Sequence, residues 1–229
     1  MNNDITIIYL TANEVPEDWA WYQYNVLLEA IGDASFISIS RKPLLDGMKL
    51  IDGVHLIDEE PKSIFNIYKQ MLRGALHAQT PYIAVVEDDV LYHPSHFEFR
   101  PPEDAFAYDM NRLGIFTWKK DPMYFWKNRV SNSMLIAPRK LMIEALEERF
   151  NSQLAYKIHG ELGRNNIEEK LGITKRKRIE YFAEESSIRF DHDFGYDHAA
   201  RFHRKKEGPI RAYRIPIWGK ASDLVKNFK

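Results

Sequence analysis

The sequence predicts an α/β fold: a mixed, mostly parallel central sheet flanked by helices. Three observations lead there. Residues 81–92 read Pro-Tyr-Ile-Ala-Val-Val-Glu-Asp-Asp-Val-Leu-Tyr, a short, continuously apolar run with β-branched members, as expected of a strand buried on both faces. The preceding segment, residues 63–78, sets Ile64, Ile67, Tyr68, Met71, Leu72 and Ala75 on one helical stripe behind a serine suited to cap it. An apolar strand, a helix and a second apolar strand in close succession form the crossover unit of parallel sheets.

Taken in order, residues 5–10 form an apolar first strand, and residues 18–31 space their apolar positions helically up to Gly32. Residues 36–40 alternate as a second strand and run into Arg41-Lys42-Pro43. The helix over 63–78 leads directly into the buried strand. Beyond it the pattern is less regular. Residues 105–110, 113–118 and 133–137 read as short strands, residues 138–150 as a helix, and a further helix is expected to start near Glu161, after Gly160. The tail after Gly208 reads as an irregular extension. No internal repeat, low-complexity segment or linker interrupts the chain, so one domain is expected over residues 1–229.

With 229 residues and 45% hydrophobic content, the chain can bury a sizeable core. No apolar run approaches the roughly 18 residues of a membrane span, and the acidic start lacks the basic region of a secretion signal, so a cytoplasmic protein is expected. The absence of cysteine excludes disulfides, thiolate zinc sites and a cysteine nucleophile. Carboxylates and eight histidines remain for metal work.

The net charge of −1 hides a strong polarity. Residues 1–110 hold 7 Lys and Arg against 18 Asp and Glu, a formal −11; residues 111–229 hold 25 against 15, a formal +10. The basic residues concentrate at Lys175-Arg176-Lys177-Arg178 and in residues 201–206. Such a half points to a polyanionic partner such as DNA, to a diphosphate, or to neutralisation within the fold.

The chemistry concentrates at Glu87-Asp88-Asp89, which leave the buried strand at its C-terminal end, where open α/β sheets bind ligands. Two carboxylates about 4 Å apart repel by about 1 kcal/mol in water and about 4 kcal/mol at a protein-like dielectric. Three in a row therefore want a cation. Oxygen-only ligands suit Mg²⁺ or Mn²⁺, which take one or two carboxylates together with substrate phosphates. A solvated acidic turn is the plainer alternative for the same residues. A second grouping is aromatic and basic: Trp118, Tyr124, Phe125 and Trp126 stand among Lys119, Lys120, Lys127 and Arg129, a composition suited to stacking on a sugar or a base, or to core packing. No Gly-x-x-x-x-Gly-Lys loop, Gly-x-Gly-x-x-Gly turn or Gly-x-Ser-x-Gly elbow occurs, which removes support for P-loop kinases, Rossmann dehydrogenases and α/β-hydrolases.

The acid-tipped strand, its preceding helix and a first strand ending in Thr11-Ala12-Asn13 resemble the nucleotide-binding half of GT-A glycosyltransferases. Residues 82–97, with Ser38-Ile39-Ser40-Arg41-Lys42-Pro43 and Asn66-Ile67-Tyr68-Lys69-Gln70, are similar to a group of small glycosyltransferase-like proteins common in bacteriophage genomes. The resemblance covers roughly residues 5–200. It implies a nucleoside-diphosphate sugar as donor, bound by residues 1–110, and an acceptor bound by residues 111–229. It implies Mn²⁺ or Mg²⁺ on Asp89, with Glu87 or Asp88 touching the ribose or a metal-bound water, and Thr11, Arg41 and Lys42 near the nucleotide. A further metal ligand is implied late in the chain, at His192 or His198. Glu161 takes the place of the general base of inverting members, although the usual pair of acids is missing there. The phage-type resemblance, the basic second half and the aromatic residues together point to a hydroxymethylated pyrimidine in DNA as acceptor. Trp118, Trp126, Lys175, Arg176, Lys177 and Arg178 are its expected contacts. A surface glycan or protein acceptor, or a metal-dependent nuclease or phosphotransferase, are the alternatives.

Overall fold

A computed structural model describes residues 3–50, 52–193 and 206–228. The mostly parallel sheet is present and has seven strands. They are β1 (Ile5–Thr11), β2 (Ser35–Ser40), β3 (Val54–Ile57), β4 (Tyr82–Glu87), β6 (Ala105–Asp109), β9 (Leu135–Pro138) and β10 (Lys177–Tyr181), ordered β10-β6-β9-β4-β1-β2-β3. β9 runs antiparallel to both its neighbours, β4 and β6; the other pairings are parallel.

β1 and β4 explain why the central strands read as unbroken apolar runs. Ile5, Ile7 and Tyr9 of β1, with Ala84 and Val86 of β4, pack towards α1 (Glu17–Ile31). Ile8 and Leu10, with Ile83 and Val85, pack towards α2 (Ile64–His77) and α3 (Arg139–Asn151). Alternate side chains therefore meet two different apolar layers, and both layers must be hydrophobic. Ser63 caps α2 as expected, its hydroxyl accepting from Asn66 N at 2.9 Å.

A second sheet has five strands, ordered β12-β8-β7-β11-β5. It comprises β5 (Val90–Leu91), β7 (Arg112–Phe116), β8 (Tyr124–Trp126), β11 (Ser187–Asp191) and β12 (Arg211–Ala212). β5 follows the acidic residues immediately, so Asp88 and Asp89 form the turn by which the chain passes from one sheet to the other.

Two expectations are corrected. The helix expected near Glu161 is α4 (Asn165–Leu171), because Gly160 and Gly163 hold positive φ and the Glu168 carboxylate accepts from Gly163 N at 3.0 Å, tying the preceding residues into a turn. The tail after Gly208 is not an irregular extension. It forms β12, a small hairpin of β13 (Arg214–Ile215) and β14 (Gly219–Lys220), and helix α5 (Ala221–Asn227). Ala221, Leu224, Val225 and Phe228 bury themselves against Trp19, Leu91 and Phe190. Burial of that apolar surface, rather than local propensity, orders the segment. No described helix is long and apolar enough to cross a membrane.

Candidate functional site

The C-terminal ends of β1 and β4 and the N-terminal turn of α2 enclose one cleft. Thr11, Arg41, Lys62, Asn66, Glu87, Asp88, Asp89, Arg189 and His192 are among its lining residues. Parallel strands and a returning helix bring strand C-termini and helix N-terminus to the same edge, so carboxylates and a positive helix end face each other by topology alone.

Each acid is held differently. Asp88 Oδ2 accepts from the Thr11 hydroxyl at 2.5 Å, and its backbone carbonyl accepts from Trp19 Nε1 at 2.8 Å. Burial, reinforced by Asp89, pushes the Asp88 carboxyl up to about 7. Glu87 is also raised, by burial first, with Arg189 opposing. The guanidinium of Arg189 bridges the outer two acids: Nη1 lies 3.1 Å from Glu87 Oε2 and Nη2 lies 2.9 Å from Asp89 Oδ2. Burial alone would make Arg189 easier to deprotonate, but Asp89 and then Glu87 outweigh it and hold the cation firmly. Gln23 Nε2 donates to the Val90 carbonyl at 3.0 Å, and the Tyr92 hydroxyl accepts from Glu87 N at 3.0 Å, so the turn is fixed from below as well.

Behind Asp89 lies a buried layer of charge. Lys127 pairs with Asp191, both almost fully buried, and burial pulls Lys127 down to about 7. Arg112 is 1% exposed, and burial lowers it to about 10. His192 Nε2 approaches Asp89 Oδ2 at 3.8 Å, and burial chiefly lowers its pKa, which favours the neutral imidazole.

The residues fit a divalent cation in one specific way. Among the described residues Asp89 Oδ1 is buried without a hydrogen-bond partner, and a cation beside Asp88, whose carboxyl burial pushes up to about 7, would favour its ionised form. Glu87 and the other Asp89 oxygen are engaged by Arg189. Among the described residues no group of three or more His, Asp and Glu is arranged to hold a metal by itself. Two carboxylates completed by substrate phosphates and water match the usual habit of Mg²⁺.

Of the expected site residues, the fold brings Thr11, Arg41, Glu87, Asp88, Asp89 and His192 into this cleft. Lys42 lines the adjoining cavity with Thr11 and Asn13, and its backbone N–H donates to Asn13 Oδ1 at 2.9 Å. His198 lies outside the described residues. Glu161 does not line the cleft; it pairs with Arg164 at 3.4 Å. Tyr124 and Phe125 are core, whereas Trp118 stacks on Phe116 and Trp126 donates to the Met110 carbonyl at 3.0 Å. Lys175, Arg176 and Arg178 pair with Glu169, Glu148 and Glu180, and with Lys177 they lead into or occupy β10, the outer strand of the large sheet. Sequence reasoning missed Arg189, Lys62 and the Asp58–Asn66 pair, in which Asn66 Nδ2 donates to Asp58 Oδ2 at 2.6 Å. The signal for Arg189 was available: Ile188 and Phe190 flank it with strand alternation, marking its side chain as the one turned away from their core.

No protein-family model and no curated protein matches the sequence. Solved structures do resemble the fold at low identity. The inositol-1-phosphate CTP transferase of T. maritima is 10% identical over 89% of this chain and 95% of that chain, with a TM-score of 0.49. A mannosyltransferase of Pyrobaculum calidifontis, solved with GDP-Man and Mn²⁺, is 14% identical over 90% and 66%, at 0.47. A glycosyltransferase involved in glycosylation of the major capsid of PBCV-1 is 9% identical over 87% and 98%, at 0.46.

Proposed function

We propose that this chain is a metal-dependent glycosyltransferase that takes a nucleoside-diphosphate sugar as donor and a hydroxyl group as acceptor. One observation carries the reading: four carboxylates (Glu14, Glu87, Asp88 and Asp89), three cationic side chains (Arg41, Lys62 and Arg189) and the N-terminus of α2 line a single cleft, with Lys62 paired to Glu14. Carboxylates alone suit a metal, and cations with a helix N-terminus alone suit a phosphate. Their conjunction suits a metal diphosphate.

In this reading Asp88 and Asp89 hold the divalent cation, which when bound supplies electrostatic stabilisation to the departing diphosphate. The chain's own groups do the rest. The α2 N-terminus and Arg41 orient the diphosphate, while Thr11 fixes the Asp88 carboxylate through its hydroxyl. Arg189 keeps the buried acidic edge neutralised, so the leaving group meets donors already in place. The acceptor in this proposal is a hydroxymethylated pyrimidine in DNA, supported by the formal +10 charge of residues 111–229. A glycan or protein acceptor is an outcome of the same experiment.

The test is incubation with Mn²⁺ and a panel of nucleotide sugars, following release of nucleoside diphosphate by chromatography, first without acceptor and then with hydroxymethylated DNA. Slow donor hydrolysis, accelerated by the DNA, is expected. Asp89→Asn should reduce release at least about 100-fold, with thermal unfolding to establish that the variant survives weakening of the Arg189 pair. Full activity of that variant would refute the site, and cleavage of the DNA itself would move the protein to the nucleases.

A further inference from the structure

Arg189 stands where an acidic strand end would otherwise receive its cation. The backbone puts it there: Arg189 pairs with Val90 in the β5–β11 ladder, and Phe190 N donates to the Asp89 carbonyl at 2.8 Å. The guanidinium then reaches Glu87 and Asp89 on either side, with the hydroxyls of Ser131 and Ser133 each 3.4 Å from Nη1. Its side chain is 23% exposed and lines the cleft, so it is both paired and within reach of a ligand.

This arrangement has a consequence for how ligands enter. A divalent ion arriving alone at Asp89 Oδ1 must share that carboxylate with Arg189, which already holds Oδ2. It then weakens the hold of Asp89 on the guanidinium and sets a second cation beside it, both unfavourable in a partly desolvated site. A diphosphate removes that penalty, because its oxygens offer a guanidinium the bidentate anion it loses. A diphosphate arriving alone faces the reverse problem, the acidic strand end Glu87-Asp88-Asp89, where Arg189 is the one guanidinium paired to the acids among the described residues.

We propose that Arg189 is a latch on the acidic strand end: it suppresses binding of a divalent metal by itself and makes metal and diphosphate bind as a pair, each raising the affinity of the other by the same factor. That reciprocity follows from linkage. The proposal rests on the metal-diphosphate reading of the cleft given above, and the experiment separates the failure of one from the failure of the other.

Mn²⁺ binding to the purified full chain is measured by electron paramagnetic resonance of free Mn²⁺, with and without a panel of nucleoside diphosphates. Diphosphate binding is measured in parallel by calorimetry, with Mn²⁺ or with EDTA. For the wild type, diphosphate should tighten Mn²⁺ about tenfold or more, and Mn²⁺ should tighten the diphosphate by the same factor. Arg189→Gln releases both acids, so it should bind Mn²⁺ alone about tenfold tighter than the wild type while its coupling factor falls towards about 2. Arg189→Lys, which keeps a single charge without the fork, should lie between them. Thermal unfolding in EDTA shows which variants are folded; if Arg189→Gln is not, the wild-type and Arg189→Lys coupling factors decide. Equal Mn²⁺ affinity with and without diphosphate, or a folded Arg189→Gln that gains no Mn²⁺ affinity, overturns the latch and leaves the cleft as a metal-diphosphate site. Failure of every form to bind diphosphate under any condition overturns both.

Discussion

Asp88 is a carboxylate held where its charge is costly. Its pKa, pushed up to about 7 by burial and by Asp89, stands against an ordinary value near 4. The folded chain therefore keeps a proton that the unfolded chain has already lost, and the contribution of this group to stability falls as pH rises from about 4 to about 7, then levels off. Lys127 works in the opposite sense. Burial lowers it to about 7, so the unfolded chain binds the extra proton between about 7 and 10.5, and stability rises with pH across that window. The two groups together give a minimum near pH 7. Asp88→Asn should flatten the acid limb and raise the unfolding free energy at pH 8 by up to about 4 kcal/mol, three pKa units at 1.36 each. Urea titrations at pH 5 and pH 8 check this: an unchanged pH difference in the variant would refute it. At this scale the position of the acids was legible, because a continuously apolar run that ends in three carboxylates puts them at the C-terminal end of a buried strand, although a solvated turn would read the same way. Their counter-ion was not, because Arg189 lies 102 positions away and only strand pairing brings it near.

Among the elements, α2 shows how a close approach can override propensity. Gly74 lies inside the helix, where alanine is ordinarily favoured by about 1 kcal/mol. A Cβ at that position would stand 2.7 Å from Ile8 Cγ2 and 2.8 Å from Cδ1, against a core strand. Overpacking of this kind costs about 1–3 kcal/mol and exceeds the propensity gain. Gly74→Ala should therefore destabilise by up to about 2 kcal/mol in urea denaturation, and a stabilised variant would show that β1 and α2 can separate without cost. The long elements were readable for the same reason they are stable: α1, α2 and α3 space apolar residues along a helix, and β1 and β4 are unbroken apolar runs. β12, β13 and β14 are two residues each and α5 is seven, too short for a period to show. Their order comes from contacts such as Phe228 against Trp19, with ring centroids 4.7 Å apart.

For the whole molecule, the charge polarity of the sequence is partly spent within the fold. Three residues of the basic run, Lys175, Arg176 and Arg178, already face glutamates, and the run stands on the outer strand of the sheet rather than at the cleft. If hydroxymethylated DNA is the acceptor, binding should weaken steeply with salt. Neutralising Lys175, Arg176, Lys177 and Arg178 should then lower the log-log slope by no more than about 1, since each phosphate contact contributes about 0.9. Filter binding at several salt concentrations measures it. A loss of 2 or more in slope would place the run on the DNA after all, and absence of binding by the wild type at low salt would turn the acceptor into a glycan or protein. The sequence announced the surplus of charge but not its internal pairing, because Glu148, Glu169 and Glu180 are ordinary helix and strand residues until the fold sets them beside arginine and lysine.

The turn between the two sheets also carries a clock. Glu87 and Asp89 leave the ribosome 102 and 100 residues ahead of Arg189, and β5 waits just as long for β11. At about 5–20 residues per second, that is an interval of about 5–20 s in which β4 can already join β1 while its acidic end has neither counter-ion nor partner strand. The large sheet can thus begin to assemble during synthesis, but the cleft is finished only by the last third of the chain. A premature stop after α3 but before residue 189 would leave most of the two apolar layers around β1 and β4 and no assembled site.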